Sequence, residues 1–289
     1  MDSTPLADEP SLQRLRRAAC AALAGGAALL AVLVAALSAL LAPLGARPEN
    51  PIGGERAGVI FGEHPGGFAG RIASLVDLVI PTTVAEGLYL LAALLVLHAL
   101  PAHRATGRVL ARFGPANQIT LLRLVLVVLL AALLTIPLDT PLRWIVVTIA
   151  TVAAALDGLD GALARRTGLA SAFGARFDME TDALLIMVLS LLVWHAEVAG
   201  VWVLLSGLLR YLFVAAGAVR PGLAQPLPAS LWRKTVCVLQ IVLLIACLAP
   251  GLPAGLAAAL AAIGLALLLH SFGTDVVWLH RHRSPGPSR

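Results

Sequence analysis

Residues 155–185 read ALDGLDGALARRTGLASAFGARFDMETDALL, a stretch with many carboxylates in a chain that is otherwise strongly apolar. Its acidic residues are Asp157, Asp160, Asp178, Glu180 and Asp182. A charged side chain at the centre of a membrane helix costs about 2.5–3.5 kcal/mol on insertion scales, and less near an interface. We therefore expect these carboxylates to have cationic partners.

The composition is that of a polytopic membrane protein. Of 289 residues, 59% are hydrophobic and 13% are charged, and the mean hydropathy is +0.91, whereas roughly a quarter of the residues in soluble domains are charged. A helix needs about 20 apolar residues to cross the hydrocarbon core. Such runs occur at about 19–43, 73–100, 116–137, 142–164, 178–196, 199–219, 234–250 and 255–279. The predicted fold class is all-α, because runs of this length without period-two alternation are not barrel strands.

The basic residues predict the orientation, since Lys and Arg near span ends collect on the cytoplasmic side. With the N-terminus inside, 15 of the 21 basic residues fall inside and four outside, while Arg123 and Arg210 lie within spans. The pI of about 9.8 therefore follows from membrane topology, and we expect the lipid bilayer and no nucleic acid as a partner. The expected location is a bacterial inner (plasma) membrane, with the acidic stretch facing the cytoplasm.

Three parts follow along the chain. Residues 1–112 form an N-terminal extension with two spans, an external loop and a basic juxtamembrane segment, and residues 1–18 are expected to be disordered. The six remaining spans fill residues 113–280, and residues 281–289 are a cytoplasmic tail. In the juxtamembrane segment, arginines recur every four residues at Arg104, Arg108 and Arg112. They predict either a short helix with one basic face on the membrane surface or a charged linker.

Helical spacing sorts the acidic stretch into two faces. In the fourth span, positions i, i+3, i+4 and i+7 share one face and are Asp157, Asp160, Gly161 and Ala164. In the fifth, positions i, i+4 and i+8 share one face and are Gly174, Asp178 and Asp182. Two adjacent antiparallel helices would thus present two carboxylates each to a common space, beside small residues that let a bulky ligand approach.

Four converging carboxylates repel one another unless cations neutralise them. Oxygen-only ligands favour hard ions such as Mg²⁺ or Mn²⁺, and four carboxylates can hold two ions, an arrangement suited to displacement at phosphorus. Helix caps, or salt bridges with Arg165, Arg166 and Arg176, are the structural alternative. Glu180 lies about 200° around the helix from Asp178, so it is expected to pair with Arg176 or with a neighbouring chain.

The spacing of the motif resembles the signature of the CDP-alcohol phosphatidyltransferase family. All eight fixed positions of that signature are filled, and they are Asp157, Asp160, Gly161, Ala164, Arg165, Gly174, Asp178 and Asp182. The resemblance covers about residues 113–280 and leaves the two N-terminal spans unexplained. It implies a six-helix membrane core, often a homodimer, that transfers a phosphatidyl-type group from a CDP-linked lipid donor to a small alcohol acceptor and releases CMP.

The resemblance also implies roles for particular residues. The ligands of two Mg²⁺ or Mn²⁺ ions would be Asp157, Asp160, Asp178 and Asp182. Asp182 would in addition be the catalytic general base, and Gly161, Ala164 and Gly174 would make room for the nucleotide.

Asn117, Thr120 and Arg123 resemble residues that line the nucleotide pocket in family members. The alternatives are that Asn117 is a helix N-cap and that Arg123 snorkels to the interface. Arg210 is a candidate for binding the acceptor, because an arginine inside a span indicates function, or it pairs with an acid of the cluster. Lys234 is a weaker acceptor candidate, with Thr235 and Gln240, and its alternative role is that of a topology charge.

The substrate is less constrained than the chemistry. Members that use glycerol phosphate usually have Pro after the third Asp and Lys after the fourth, where this chain has Met179 and Ala183. CDP-diacylglycerol is the expected donor, and inositol phosphate, serine, choline-like alcohols and glycerol phosphate are candidate acceptors. Two other classes are a divalent-metal transporter, which would need its acids near the midplane, and an inactive scaffold of the same fold.

Overall fold

Helices dominate the computed structural model, which describes residues 9–45, 83–90, 104–105, 108–109, 115–167, 172–220, 225, 227–228 and 230–282. In chain order they are α1 (Glu9–Gly45), α2 (83–90), α3 (Pro115–Ala132), α4 (Thr140–Thr167), α5 (Ala172–His195), α6 (Leu204–Val219), α7 (Leu231–Leu248) and α8 (Ala254–Arg281). Short 3-10 turns, Leu133–Thr135 and Val201–Val203, follow α3 and precede α6. The predicted all-α class is confirmed.

Six helices among the described residues are long and apolar enough to cross a membrane, namely α1, α3, α4, α6, α7 and α8. α5 is 24 residues long but is not among these six, and its first half carries three acidic residues, Asp178, Glu180 and Asp182. The protein is therefore an integral membrane protein. Most of the predicted span 73–100 falls outside the described residues, and only α2 represents it.

One prediction about the N-terminal part is wrong, and one of two alternatives is excluded. Residues 1–18 were expected to be disordered, but α1 begins at Glu9, because Leu, Gln and Arg are good helix formers and Pro10 is tolerated in a first turn. Residues 1–8 lie outside the described residues. Either a short basic helix or a charged linker was expected at Arg104 and Arg108; Arg104–Ala105 (β1) pairs antiparallel with Arg108–Val109 (β2), which excludes the helix at these residues. Thr106 and Gly107, between the strands, are poor helix formers. Arg112 lies outside the described residues.

Side-chain caps fix the starts of two helices near the core. The Asp139 carboxylate accepts a hydrogen bond from the backbone N–H of Leu142 at 3.0 Å, at the start of α4. The Ser230 hydroxyl accepts from the backbone N–H of Arg233 at 3.4 Å, at the start of α7. Such caps satisfy N–H groups that have no partner inside the helix.

α3 occupies the centre of the helix packing. One side of α3 contacts α4 and α5, and α7 also contacts both of these helices. These helices, with α8, enclose the larger apolar core, which includes Leu130, Leu189 and Leu244. α4 and α5 were expected to be direct neighbours, but they are held mainly by α3 and α7, which pack against both.

The N-terminal helices cover another face of α3. A second apolar cluster joins Leu30 of α1 and Ala85 of α2 to Val125 of α3. The Tyr89 hydroxyl donates a hydrogen bond to the Leu23 carbonyl at 2.8 Å, which ties α2 to α1. α3, the helix that carries Arg123, is thus supported by the N-terminal extension on the side opposite to that arginine.

Candidate metal centre

Three of the four motif carboxylates meet in space. Asp157 comes from α4, and Asp178 and Asp182 come from consecutive turns of α5. Each offers a carboxylate oxygen, and these three oxygens lie within 4.8 Å of one another. The side chains are 15%, 38% and 20% exposed, respectively, so the cluster is sheltered by protein but open to solvent. We refer to these three residues as the carboxylate cluster.

Arg123 of α3 reaches into the carboxylate cluster and contacts all three of its members. Its Nη1 lies 3.1 Å from Asp157 Oδ1 and 2.5 Å from Asp178 Oδ1. Its Nη2 donates to Asp182 Oδ1. The guanidinium is therefore shared between α4 and α5, whose carboxylates would otherwise repel each other.

The backbone also holds Arg123. The Nε–H donates to the Ala153 carbonyl at 3.2 Å, one helical turn before Asp157 on α4. The Arg123 side chain is fully buried, and a buried charge without partners would be strongly unfavourable. Arg123 therefore does not snorkel to the interface, and that alternative is wrong.

The charge balance of the site leaves room for further cations. Three ionised carboxylates and one guanidinium give a formal excess of two negative charges. The donor set consists of carboxylate oxygens alone, with no sulfur and no imidazole among the clustered side chains. Such a set suits hard divalent ions such as Mg²⁺ and Mn²⁺ and is a poor match for softer metals.

Three other predicted site residues lie near the C-terminal end of α4, and only the backbone of these three residues is described. Asp160, Gly161 and Ala164 follow Asp157 within α4, and their side chains fall outside the described part of the chain. Gly174 lies in the first turn of α5, one turn before Asp178. The side chain of the fourth motif carboxylate is thus not among those placed in the cluster.

The residues predicted to face a nucleotide lie on α3 before Arg123. Asn117 and Thr120 are 6% and 3% exposed. Asn117 is the third residue of α3, so it is not the N-cap of this helix. Thr120 lies one turn before Arg123, and its hydroxyl donates to the Ala116 carbonyl at 3.2 Å. Both side chains are buried at the end of α3 that leads to the carboxylate cluster.

Arg210 pairs with a carboxylate outside the cluster. Its Nη2 donates to Glu180 Oε1 at 2.7 Å, while its Nε is buried and has no hydrogen-bond partner in the described part of the chain. Glu180 was expected to pair with Arg176 or with a neighbouring chain, but its partner in the structure is Arg210. The prediction that Glu180 points away from the shared face agrees with its absence from the cluster.

At the start of α7, Arg233 has a structural role and Lys234 is exposed. Arg233 binds Asp275 of α8 at 2.9 Å and donates to the Pro228 carbonyl, so it joins α7 to α8. Lys234 is exposed, and the Thr235 hydroxyl donates to the Leu231 carbonyl. Gln240 is buried, and its amide atoms lack partners among the described residues.

The role of Arg123 at the centre of the cluster is the feature that sequence reasoning missed. The signal was present, because an arginine near the middle of an apolar helix must find anions. The acid nearest in sequence is Asp139, 16 residues after Arg123, whereas the acidic stretch begins 34 residues after it at Asp157. Only the fold shows that α3 packs against both α4 and α5.

Comparison with known families agrees with the acidic motif. A profile of the family described as CDP-alcohol phosphatidyltransferase matches residues 113–270. The match covers more than half of the 289 residues, from just before α3 into α8, and it includes the carboxylate cluster and Arg123. No curated protein and no solved structure gives a significant match. The resemblance seen in the motif is therefore confirmed.

Proposed function

The chain belongs to the CDP-alcohol phosphatidyltransferase family, and on this premise we propose that it transfers a phosphatidyl group from CDP-diacylglycerol to a small alcohol. The reaction releases CMP and belongs to phospholipid biosynthesis. One observation carries the proposal: Asp157, Asp178 and Asp182 of the motif converge from two helices, with oxygens within 4.8 Å of one another.

We propose Asp157, Asp160, Asp178 and Asp182 as ligands of two Mg²⁺ or Mn²⁺ ions. When bound, these ions would offset the charge of the donor pyrophosphate and of departing CMP. The all-carboxylate donor set and its partial exposure support this assignment.

The proposed reaction is an in-line displacement at the β-phosphorus of the donor. The acceptor oxygen forms a bond to this phosphorus, and the bond to the bridging oxygen of the pyrophosphate breaks, so that CMP takes the electron pair. Asp182 receives the proton of the acceptor hydroxyl. Because a carboxylate that also binds a metal is a weak base, Asp182 acts on a hydroxyl that the site already polarises.

The remaining site residues are proposed to position the two substrates. Asn117, Thr120, Gly161, Ala164 and Gly174 would line the nucleotide pocket. The burial of Asn117 and Thr120 close to Arg123 along α3 supports their part of this assignment. The small residues would let the cytidine approach the helix backbones.

Arg210 and Lys234 are proposed to bind the acceptor. Arg210 has a buried Nε without a hydrogen-bond partner in the described part of the chain, and Lys234 is exposed. We further propose that the protein works as a homodimer in a bacterial inner membrane, with its active site facing the cytoplasm.

The test is metal-dependent CMP release by the purified full-length protein. CDP-diacylglycerol is supplied with Mg²⁺ or Mn²⁺ and, in separate reactions, glycerol 3-phosphate, inositol 1-phosphate, inositol or serine. We expect release with one acceptor and none after chelation by EDTA. CMP release that is the same with and without divalent ions would refute the mechanism. Vesicle uptake of Mn²⁺ without CMP release would favour a transporter.

A further inference from the structure

We propose that Arg123 competes with the divalent ions for the carboxylate cluster. In this view its guanidinium neutralises the cluster before the ions load, and it leaves Asp157 and Asp178 when they bind. The inference rests on the metal site proposed above. It gives Arg123 a role in setting metal affinity that differs from ligation, base catalysis and substrate binding.

Geometry is the first reason for competition. Arg123 Nη1 lies between oxygens of two different helices, 3.1 Å from Asp157 Oδ1 and 2.5 Å from Asp178 Oδ1. Asp157 and Asp178 are also proposed to hold a divalent ion, and Mg²⁺ takes oxygen ligands at about 2.0–2.1 Å. Carboxylates that hold an ion this closely would no longer be able to hold the Arg123 nitrogen between them.

Charge is the second reason. Four motif carboxylates and two divalent ions sum to zero formal charge, so a guanidinium left in place would add an uncompensated positive charge. Arg123 is fully buried, and water therefore screens its repulsion from nearby ions poorly. Binding of two divalent ions therefore disfavours keeping all three ion pairs of Arg123.

Burial explains why a cation is needed before loading. Removing one member of a buried ionic group leaves the others uncompensated and destabilises the fold. Without Arg123, the three carboxylates would repel one another across the gap between α4 and α5. Loss of the guanidinium should therefore have two opposite effects, a less stable protein without metal and a higher affinity for metal.

The experiment measures Mn²⁺ binding to the full-length protein in detergent by electron paramagnetic resonance of free Mn²⁺. Arg123→Gln is expected to lower the Kd by about tenfold or more, since one adjacent positive charge is removed. It should also lower the Tm without metal and increase the rise in Tm on adding Mn²⁺. Arg123→Lys keeps the charge but loses the planar fork, so its Kd should lie between those of Arg123→Gln and the wild type.

Arg143→Gln is the matched control. Arg143 lies at the other end of α4, about 21 Å along the helix axis from Asp157, and its Nε donates to the Leu248 carbonyl at 3.1 Å. The control removes a partly buried arginine that also binds backbone carbonyls. It should lower the Tm without changing the Kd for Mn²⁺.

Two results would separate the inference from the proposed function. If wild-type protein binds Mn²⁺ and Arg123→Gln binds it equally or more weakly, the competition is refuted while the metal site stands. If wild-type protein binds no Mn²⁺, or if Asp178→Asn binds as the wild type does, the metal site is refuted and the competition with it.

A wild-type measurement covers the case in which Arg123→Gln does not fold. The Arg123 Nε–H, which donates to the Ala153 carbonyl, gives an arginine side-chain NMR signal that Arg123→Lys identifies by its loss. Competition predicts that this signal moves as Mg²⁺ is added. An unchanged signal at saturating Mg²⁺ would overturn the inference.

Discussion

At the scale of single residues, the site depends on which face of α5 a carboxylate occupies. Asp178 and Asp182 are one turn apart and join Asp157, whereas Glu180, between them in sequence, turns away and binds Arg210. Three acids within five residues therefore fall into two environments. Glu180 can therefore serve as a control for Asp178 and Asp182, because it carries the same carboxylate group on the same helix.

We predict that Asp178→Asn weakens Mn²⁺ binding by at least about tenfold. Mutation of a group that only orients a metal ligand often costs about 10–100-fold in metal affinity, and Asp178 is proposed to be a ligand itself. CMP release should fall below detection. Glu180→Gln should retain the wild-type Kd for Mn²⁺, since Glu180 lies outside the cluster. Equal losses of Mn²⁺ affinity in the two variants would contradict the assignment.

A second residue-scale prediction concerns the proposed base. Asp182→Asn should reduce CMP release by roughly 10²–10⁴-fold, the usual contribution of a general base, while binding of CDP-diacylglycerol is largely kept. Turnover and lipid binding are measured on the same purified sample. Turnover near the wild-type rate would remove the base role from Asp182.

At the scale of helices, close packing of α6 against α5 fixes the C-terminal half of α5, which follows the acidic residues. Gly207 of α6 faces the α5 backbone, and a Cβ at this position would come within 2.6 Å of Met187 Cα. Membrane helices pack closely where small residues allow their backbones to approach. The position of the acids on α5 thus depends on a glycine far from them in sequence.

Gly207→Ala is predicted to lower the free energy of unfolding by about 1–3 kcal/mol, the usual cost of overpacking. Gly273→Ala on α8 is the control, because a Cβ there has no neighbour within 4 Å and alanine favours helix over glycine. Thermal unfolding in detergent should give a lower Tm for the first variant and an unchanged or higher Tm for the second. A Tm unchanged in both would show that α5 and α6 can move apart at little cost.

At the scale of the whole molecule, the distribution of basic residues predicts the orientation. Fifteen of 21 basic residues fall on the side of the N-terminus in the predicted topology, which the positive-inside rule assigns to the cytoplasm. In that predicted topology the carboxylate cluster lies toward the cytoplasmic ends of α4 and α5. A water-soluble acceptor would then reach the site from the cytoplasm, and the lipid donor from the bilayer.

Reporter fusions test this orientation. Alkaline phosphatase inserted at Gly251, between α7 and α8, should be active because that turn is predicted to lie outside. The same enzyme inserted at 225, between α6 and α7, should be inactive, and a fluorescent protein fused after Arg289 should fluoresce. Activity at 225 and none at Gly251 would reverse the topology and place the site outside.

The sequence by itself determined the membrane class, most helix positions and the identity of the acidic motif. These are local properties, because hydropathy depends on runs of neighbouring residues and helical spacing places Asp178 and Asp182 on one face. The family followed from the same spacing. An error arose at the start of α1, where local signals were weak, and for the segment around Arg104 they left two alternatives open.

Only the tertiary structure decided which cation meets the carboxylates. Arg123 lies more than 30 residues before Asp157, and its alternatives, snorkelling or lining a pocket, cannot be separated by local sequence patterns. Packing decides, because α3 contacts both α4 and α5 and carries its arginine into the gap between their acids. Likewise, Arg210 and Glu180 pair because α6 packs on α5. Charge partners are set by long-range helix packing, which the order of residues along one helix does not specify.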